Sequence, residues 1–507
     1  MQFTSLPFAA FLCGAAAVFF LLPPAARRLF LAAASLFVYC YPSPWQGAFL
    51  LLSVALTYGG ARLLDRTEGP RTRRLLLAAG AVLNLAFLLF FKYYNFAAQN
   101  LAALCGLLGL AAPLPALALV APVGISFYTF QSLGYLVDVY RRQTQPERNI
   151  VTYTLFVAFF PQVQAGPISR STSLLPQLRS PAPAFDGKRV ERSLLLAGWG
   201  LFKKLVIADR LAIFVGNVFD GHAGGTGAVA VAAVVLFAFQ MYCDFSGYTA
   251  MALGIAGLFG YRLDPNFQLP YFSGTIPEFW RRWHMTLGSW FRDYLFYPIL
   301  RNRRLNRLAK AARKTLPKTL ANNIPVVVGL VVVWFCTGFW HGTGWNYIVW
   351  GLYHGLLIIL STLAGPWLKK RGQALGLPLE GRAFALFRVV RTFALVCVGY
   401  VFFRSASLGA ALGLFARLWG GAGPAALWDG TLLQYGLDGA DFAVALAGLA
   451  VLFAVEFAQR KRDLLAWVPA QRRLVRWAVY LVGILVLLVF GMYGEGYVEK
   501  PFLYFQF

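Results

Sequence analysis

Four histidines stand in a chain of 507 residues of which only 13% are charged, so each is weighed for acid–base chemistry. Residues 334–354 read Trp-Phe-Cys-Thr-Gly-Phe-Trp-His-Gly-Thr-Gly-Trp-Asn-Tyr-Ile-Val-Trp-Gly-Leu-Tyr-His and place His341 between two strongly apolar runs. Gly342 and Gly344 would break a helix there and free backbone groups, which membrane depth tolerates only where the backbone lines a cavity or is buried in protein. Desolvation favours the neutral imidazole, the form that can accept a hydroxyl proton, so His341 is the candidate general base, with Trp340 and Asn346 beside it. A core histidine hydrogen-bonded to a neighbouring helix is the plainer alternative.

Residues 278–296 read Glu-Phe-Trp-Arg-Arg-Trp-His-Met-Thr-Leu-Gly-Ser-Trp-Phe-Arg-Asp-Tyr-Leu-Phe, gathering three tryptophans, Arg281, Arg282, His284 and the pair Arg292–Asp293. Interfacial anchoring accounts for the Trp and Arg residues but not for the histidine or the ion pair, and ionisable groups at membrane depth are functional candidates by default. His354 lies thirteen residues beyond His341, which on an unbroken helix is ~20 Å away and on nearly the opposite face, so it reads as structural. His222, in Asp220-Gly-His-Ala-Gly-Gly, reads as an ordinary loop residue. No GxSxG, HExxH or GxxxxGK[ST] is present, and neither His284 nor His341 is followed five residues later by Asp, which argues against serine hydrolases, zinc proteases, phosphate-loop enzymes and soluble-headed glycerolipid acyltransferases.

The elements that must hold these groups are membrane helices. With 59% hydrophobic residues, the chain cannot cover a soluble surface, and apolar runs of spanning length recur from Leu6 to Met492. A net charge of +26 would suggest nucleic acid in a soluble protein, but here the basic residues fall in short loops between apolar runs, where positive-inside topology explains them. Apolar segments are expected near 7–22, 29–41, 45–61, 75–91, 101–121, 124–140, 150–161, 193–219, 226–243, 247–260, 440–457 and 477–493, several too short to cross ~30 Å of hydrocarbon and so re-entrant or buried. The acid-free stretch from Arg301 to Lys318 reads as a cytosolic amphipathic or solvated segment. Charge placement puts both termini outside, with Lys318 and Lys369-Lys370-Arg371 fixing the outer ends of the His341 hairpin in the cytosol. The six cysteines carry no metal-ligand spacing and read as packing residues; no metal site is expected.

Four blocks together resemble the membrane-bound O-acyltransferase family: Phe159-Phe160-Pro161-Gln162 with Ala165-Gly166-Pro167-Ile168; Tyr242-Cys243-Asp244-Phe245-Ser246-Gly247-Tyr248; Asn266-Phe267-Gln268-Leu269-Pro270-Tyr271 running into Glu278 to His284; and Trp340-His341-Gly342 with Trp350 to Gly355. The resemblance covers nearly the whole chain and is nearest to the branch that holds the membrane subunit of alginate O-acetylation. It implies an all-α polytopic fold, a ring of transmembrane and re-entrant helices around a tunnel, with His341 catalytic and His284 the second functional histidine. Arg292, Asp293, Asp244, Asn266, Trp340 and Asn346 are the matching supporting or substrate-binding positions. Two departures are visible: Ala250 where the family usually has a second acid, and Pro298-Ile299-Leu300-Arg301 where it usually has Pro-Leu-Gly-Gly.

The tail ends Phe502-Leu503-Tyr504-Phe505-Gln506-Phe507. It is similar to a motif that, in the related D-alanylation system of teichoic acids, sits on a separate small peptide and carries the acyl group on its tyrosine; an aromatic belt at the membrane surface is the alternative. The resulting expectation is a single membrane domain over 1–507, with 494–507 an extracytoplasmic tail, in the plasma (inner) membrane. It takes an acyl group, acetyl first among the candidates, from acetyl-CoA or another thioester and passes it outward for O-acetylation of a polysaccharide. Tyr504 acts as acyl relay and an extracytoplasmic acetyltransferase as partner, with no permanently bound cofactor and no nucleic acid. A polymer or lipid-precursor flippase is the alternative from another class, although no repeat of matching broken helices is evident.

Overall fold

The computed structural model describes residues 1–111, 114–221, 226–419, 423–494 and 501–503. Among them every regular element is helical. Eight helices among the described residues are long and apolar enough to cross a membrane, from Pro44–Arg66 to Arg473–Phe490, and the shorter apolar helices Leu6–Leu21 and Leu408–Leu418 add to them. The chain is thus an all-α, multi-pass membrane protein. Its contacts group into two compact units, neither continuous in sequence: Met1–Lys204 with Phe245–Asp264 and Lys461–Gln506, and Leu205–Asp244 with Pro265–Arg460.

In the first unit, helices begin where proline stands at the first turn, at Pro24, Pro44 and Pro70, because proline's fixed φ suits that turn and its missing N–H would have been unpaired there anyway. The expected segment at 150–161 is a nine-residue helix, Ile150–Ala158, followed by buried irregular chain. Such backbone survives away from water only if satisfied, and side-chain amides do this: Gln131 Nε2 and Gln162 Nε2 both donate to the Phe156 carbonyl, at 2.6 and 2.8 Å, while Ser169 Oγ donates to Gln162 Oε1 at 2.6 Å. The first of the four blocks is therefore a glutamine-buttressed turn in a buried core.

Two expectations come out differently. Among the described residues the run at 101–121 is not one helix: the helix Pro70–Leu107 ends at Leu107, and Gly109, at φ +68°, follows it with Pro115 and Pro122 beyond. The runs at 226–243 and 247–260 are one helix of 32 residues, Gly227–Leu258, which carries Asp244-Phe245-Ser246-Gly247 without interruption. The basic stretch at 301–318 includes a helix, Arg303–Ala312, that buries Ala309 and leaves Leu308 and its basic residues largely outward.

The second unit is organised by a helical hairpin, Lys318–His341 and Trp345–Ala374, with Arg382–Arg404 against its second limb. Glycines set how near the limbs come. A β-carbon on Gly351 would collide with the Trp334 carbonyl oxygen and stand 2.9 Å from Gly338 Cα, so only hydrogen fits there. Gly351→Ala is expected to lower stability by about 1–3 kcal/mol, the usual cost of overpacking, as read by thermal unfolding in detergent. Gly365→Ala on the same limb meets open space and serves as the control; equal melting temperatures for the two variants would refute the close-packing account.

Candidate active site

His341 is the last residue of its helix because Gly342 takes an extended conformation and Gly344 begins the next limb. The second limb is then pinned: Asn346 Nδ2 donates to the Phe402 carbonyl at 3.2 Å and to the Ser405 carbonyl at 2.9 Å, tying the turn to the end of Arg382–Arg404. Asn346 is thus a clamp for the turn. Trp340, Trp350 and Phe403 wall in the His341 ring, with centroids 4.9, 4.8 and 5.5 Å away. At 24 and 30 residues each limb is long enough to cross a whole membrane, so the burial of His341 comes from packed protein at the hairpin's end.

His284 is positioned by strained backbone. Thr275 caps Ile276–Arg282 by accepting from the Glu278 N–H at 3.2 Å, and Arg282 pairs with Glu278 at 2.8 Å one turn earlier. The helix stops at Trp283, and His284 turns left-handed at φ +45°, ψ +53°, a conformation a β-substituted residue holds only when its surroundings enforce it. They do so through Asn266: its carbonyl accepts from Met285 N–H at 3.0 Å, and Gln268 N–H donates to the Arg282 carbonyl at 3.0 Å, so residues 266–268 run beside 282–285 as a short brace.

The same asparagine selects the tautomer. Asn266 Oδ1 accepts from the Thr286 backbone N–H at 3.1 Å and from Thr286 Oγ1 at 2.6 Å, and a backbone N–H can only donate, which identifies that atom as the oxygen. His284 Nδ1, 3.3 Å from it, must therefore carry its hydrogen, leaving Nε2 as the basic nitrogen of the neutral ring. Burial pushes the His284 imidazole down to about 3 from its ordinary 6.5. Because the folded value lies below the unfolded one, the unfolded chain takes up the proton first. Stability is unaffected by this group above about pH 6.5 and falls as pH drops from there towards 3, by at most about 1.4 kcal/mol per pH unit. His284→Gln should accordingly lose less melting temperature than the parent protein between pH 7 and pH 5; parallel losses would show that His284 is not buried neutral.

The two histidines meet at one indole. Trp340 lies 6.1 Å from the His284 ring and 4.9 Å from the His341 ring, centroid to centroid, so both line the same locality. His354 is brought near as well. The hairpin brings Trp350 against His341, at 4.8 Å, and His354 stands one turn beyond Trp350 on the same limb, at 5.5 Å, so the distance along an unbroken helix does not apply. His354 is fully buried among Trp280, Trp334 and Trp350, and neither of its ring nitrogens has a hydrogen-bond partner among the described residues. Sequence reasoning passed over this cage; the signal was the tryptophan spacing on both sides of His341.

Of the other candidates, Asn266 is fully buried against His284, while Arg292 and Asp293 form an outward ion pair with each other at 2.9 Å. Asp244 is buried in Gly227–Leu258. Tyr504 and His222 lie outside the described residues. The six cysteines are free thiols.

Comparison with known proteins identifies the family. A family model described as MBOAT, membrane-bound O-acyltransferase family, matches residues 136–312. The chain is 33% identical to the probable alginate O-acetylase AlgI of Pseudomonas putida, over 97% of this chain and 96% of that protein. It is 31% identical to the peptidoglycan O-acetyltransferase of Helicobacter pylori, over 76% and 72% of the two chains, and 28% identical to the teichoic acid D-alanyltransferase of Bacillus subtilis, over 56% and 69%. The protein belongs to the membrane-bound O-acyltransferase family. It is an O-acyltransferase, and the flippase alternative is set aside.

Proposed function

We propose that this enzyme, seated in the plasma (inner) membrane with both termini outside, takes an acetyl group from cytosolic acetyl-CoA and passes it outward for O-acetylation of a cell-envelope or exported polysaccharide. The observation that carries the reading is the convergence of two buried histidines on Trp340, one at a glycine-broken helix end and one on strained backbone with a fixed tautomer. Such pre-set imidazoles suit proton transfer to and from a reacting hydroxyl. The glycan acceptor is supported by the relatives, whose names specify alginate and peptidoglycan.

In this mechanism His341 accepts the proton of an attacking hydroxyl as its oxygen adds to the thioester carbonyl; the intermediate then collapses, and the thiolate leaves and recovers a proton as free thiol. The hydroxyl is the phenol of Tyr504, which holds the acyl group as an ester until an extracytoplasmic acetyltransferase transfers it to the sugar. His284, with Asn266 and Thr286 behind it, orients the donor or its carbonyl, and Arg292, Asp293 and Asp244 support donor or partner contacts. No metal or permanently bound cofactor enters. Purified protein incubated with radiolabelled acetyl-CoA should release free CoA and acquire label; a protein that does neither is not using this donor.

A further inference from the structure

The Ser246-Gly247-Tyr248 end of the second block has no part in the histidine chemistry, yet it lies in a close-packed polar locality of the first unit. Gly200 and Gly247 approach so closely that a β-carbon on Gly200 would stand 2.5 Å from the Gly247 carbonyl oxygen, and one on Gly247 2.9 Å from the Gly200 carbonyl oxygen. This contact brings Lys203 and Lys204, at the start of the π-helical turn Phe202–Ala208, against Ser246 and Tyr248. Both lysines are buried, Lys204 at 1% exposure, and Lys203 Nζ donates to Ser246 Oγ at 2.9 Å. Lys204 Nζ lies 4.4 Å from the centroid of the Phe502 ring. Tyr248 meets that ring edge-on at 4.9 Å and is itself stacked on Phe3 at 4.9 Å. Phe502 is 1% exposed and Leu503 is buried beside it.

An aromatic plug in an apolar interior does not require a cation. A leucine or methionine at 204 would pack against Phe502 without the cost of burying an ammonium group. A lysine held over a ring gains a cation–π attraction that strengthens when water is excluded, and the ring is thereby fixed in one place rather than merely covered. We propose that Lys204 and Tyr248 form an anchoring pocket for the C-terminal segment, with Phe502 as its plug, and that Lys204 is a positioning residue for the acyl-carrying tyrosine two residues on. The role of the anchor in catalysis rests on the relay assigned to Tyr504; the anchor itself does not.

The test uses purified full-length protein in detergent, with the native cysteines replaced and Leu503→Cys introduced, and follows labelling by a water-soluble maleimide. Lys204→Met, close in size but uncharged, should speed labelling roughly tenfold, and Phe502→Ala, a change at the tail itself that leaves the lysine pocket in place, should do the same. Lys204→Arg, which keeps a cation over the ring, should retain protection. Equal rates in the parent, Lys204→Met and Phe502→Ala proteins, each eluting as one symmetric peak in size exclusion, would overturn the anchor. Faster labelling in Lys204→Met with wild-type polysaccharide acetylation in cells would uphold the anchor and overturn the positioning role of Lys204, while the relay itself falls only if Tyr504→Phe also leaves acetylation unchanged.

Discussion

His341→Ala is expected to lower acyl transfer by about 10²–10⁴-fold, the usual cost of losing one positioned acid–base group. The expectation rests on where the ring sits: at the last residue of a 24-residue helix, walled by Trp340, Trp350 and Phe403 and held by a turn that Asn346 ties to the neighbouring helix. The Asn346 bonds do not run through the imidazole, so the turn should survive its removal. His341→Gln fills more of the space and should be as inactive, which separates lost chemistry from a cavity. His284→Ala should cost less, because that ring orients rather than takes the proton. The measurement is release of free CoA from acetyl-CoA by purified variants matched for melting temperature. Near-parental turnover by His341→Ala would remove it from the mechanism.

Tyr504→Phe is expected to abolish acetylation of the polymer while sparing the fold and donor binding, because it deletes a single oxygen. A phenol has a pKa near 10, so its ester is a better acyl donor than a sugar ester, and the group can be handed on downhill. Protein trapped during turnover should yield a C-terminal peptide heavier by one acyl group at Tyr504, seen by mass spectrometry. The buried seat of Phe502 and Leu503 makes the tail a defined element close to this tyrosine in sequence. Unchanged acetylation in cells carrying Tyr504→Phe would mean that the tail only anchors the chain and that acyl transfer proceeds directly from the thioester.

Much of this was legible in the residues. Hydrophobic runs of spanning length could only become membrane helices, since lipid leaves backbone groups no partner but each other. Gly342 and Gly344 marked the hairpin turn, and the density of Trp, His and Arg in 278–296 marked the segment that sets His284 against Trp340. The apolar segment expected at 101–121 is not one continuous helix among the described residues, because Gly109, at φ +68°, lies just past the helix end at Leu107 and Pro115 and Pro122 follow. The break expected between 243 and 247 failed because an acid and a glycine look like punctuation in a single chain, whereas helix Gly227–Leu258 buries both without interruption.

By itself the sequence determined that the protein is helical and membrane-embedded, and which histidines to suspect, because periodicity, charge placement and helix-breaking residues act over one or two turns. Tertiary structure alone decided how those histidines are placed. The left-handed turn at His284 and its Nδ1–H tautomer depend on Asn266, eighteen residues away. The meeting of His284 with His341 depends on Trp340, and the packing of His354 against Trp334 on a hairpin closed by glycine contacts. The cation over Phe502 joins residues almost three hundred positions apart. Local sequence carries no term for such pairings, because their energy comes from the packing and desolvation of groups that meet only once the helices have assembled.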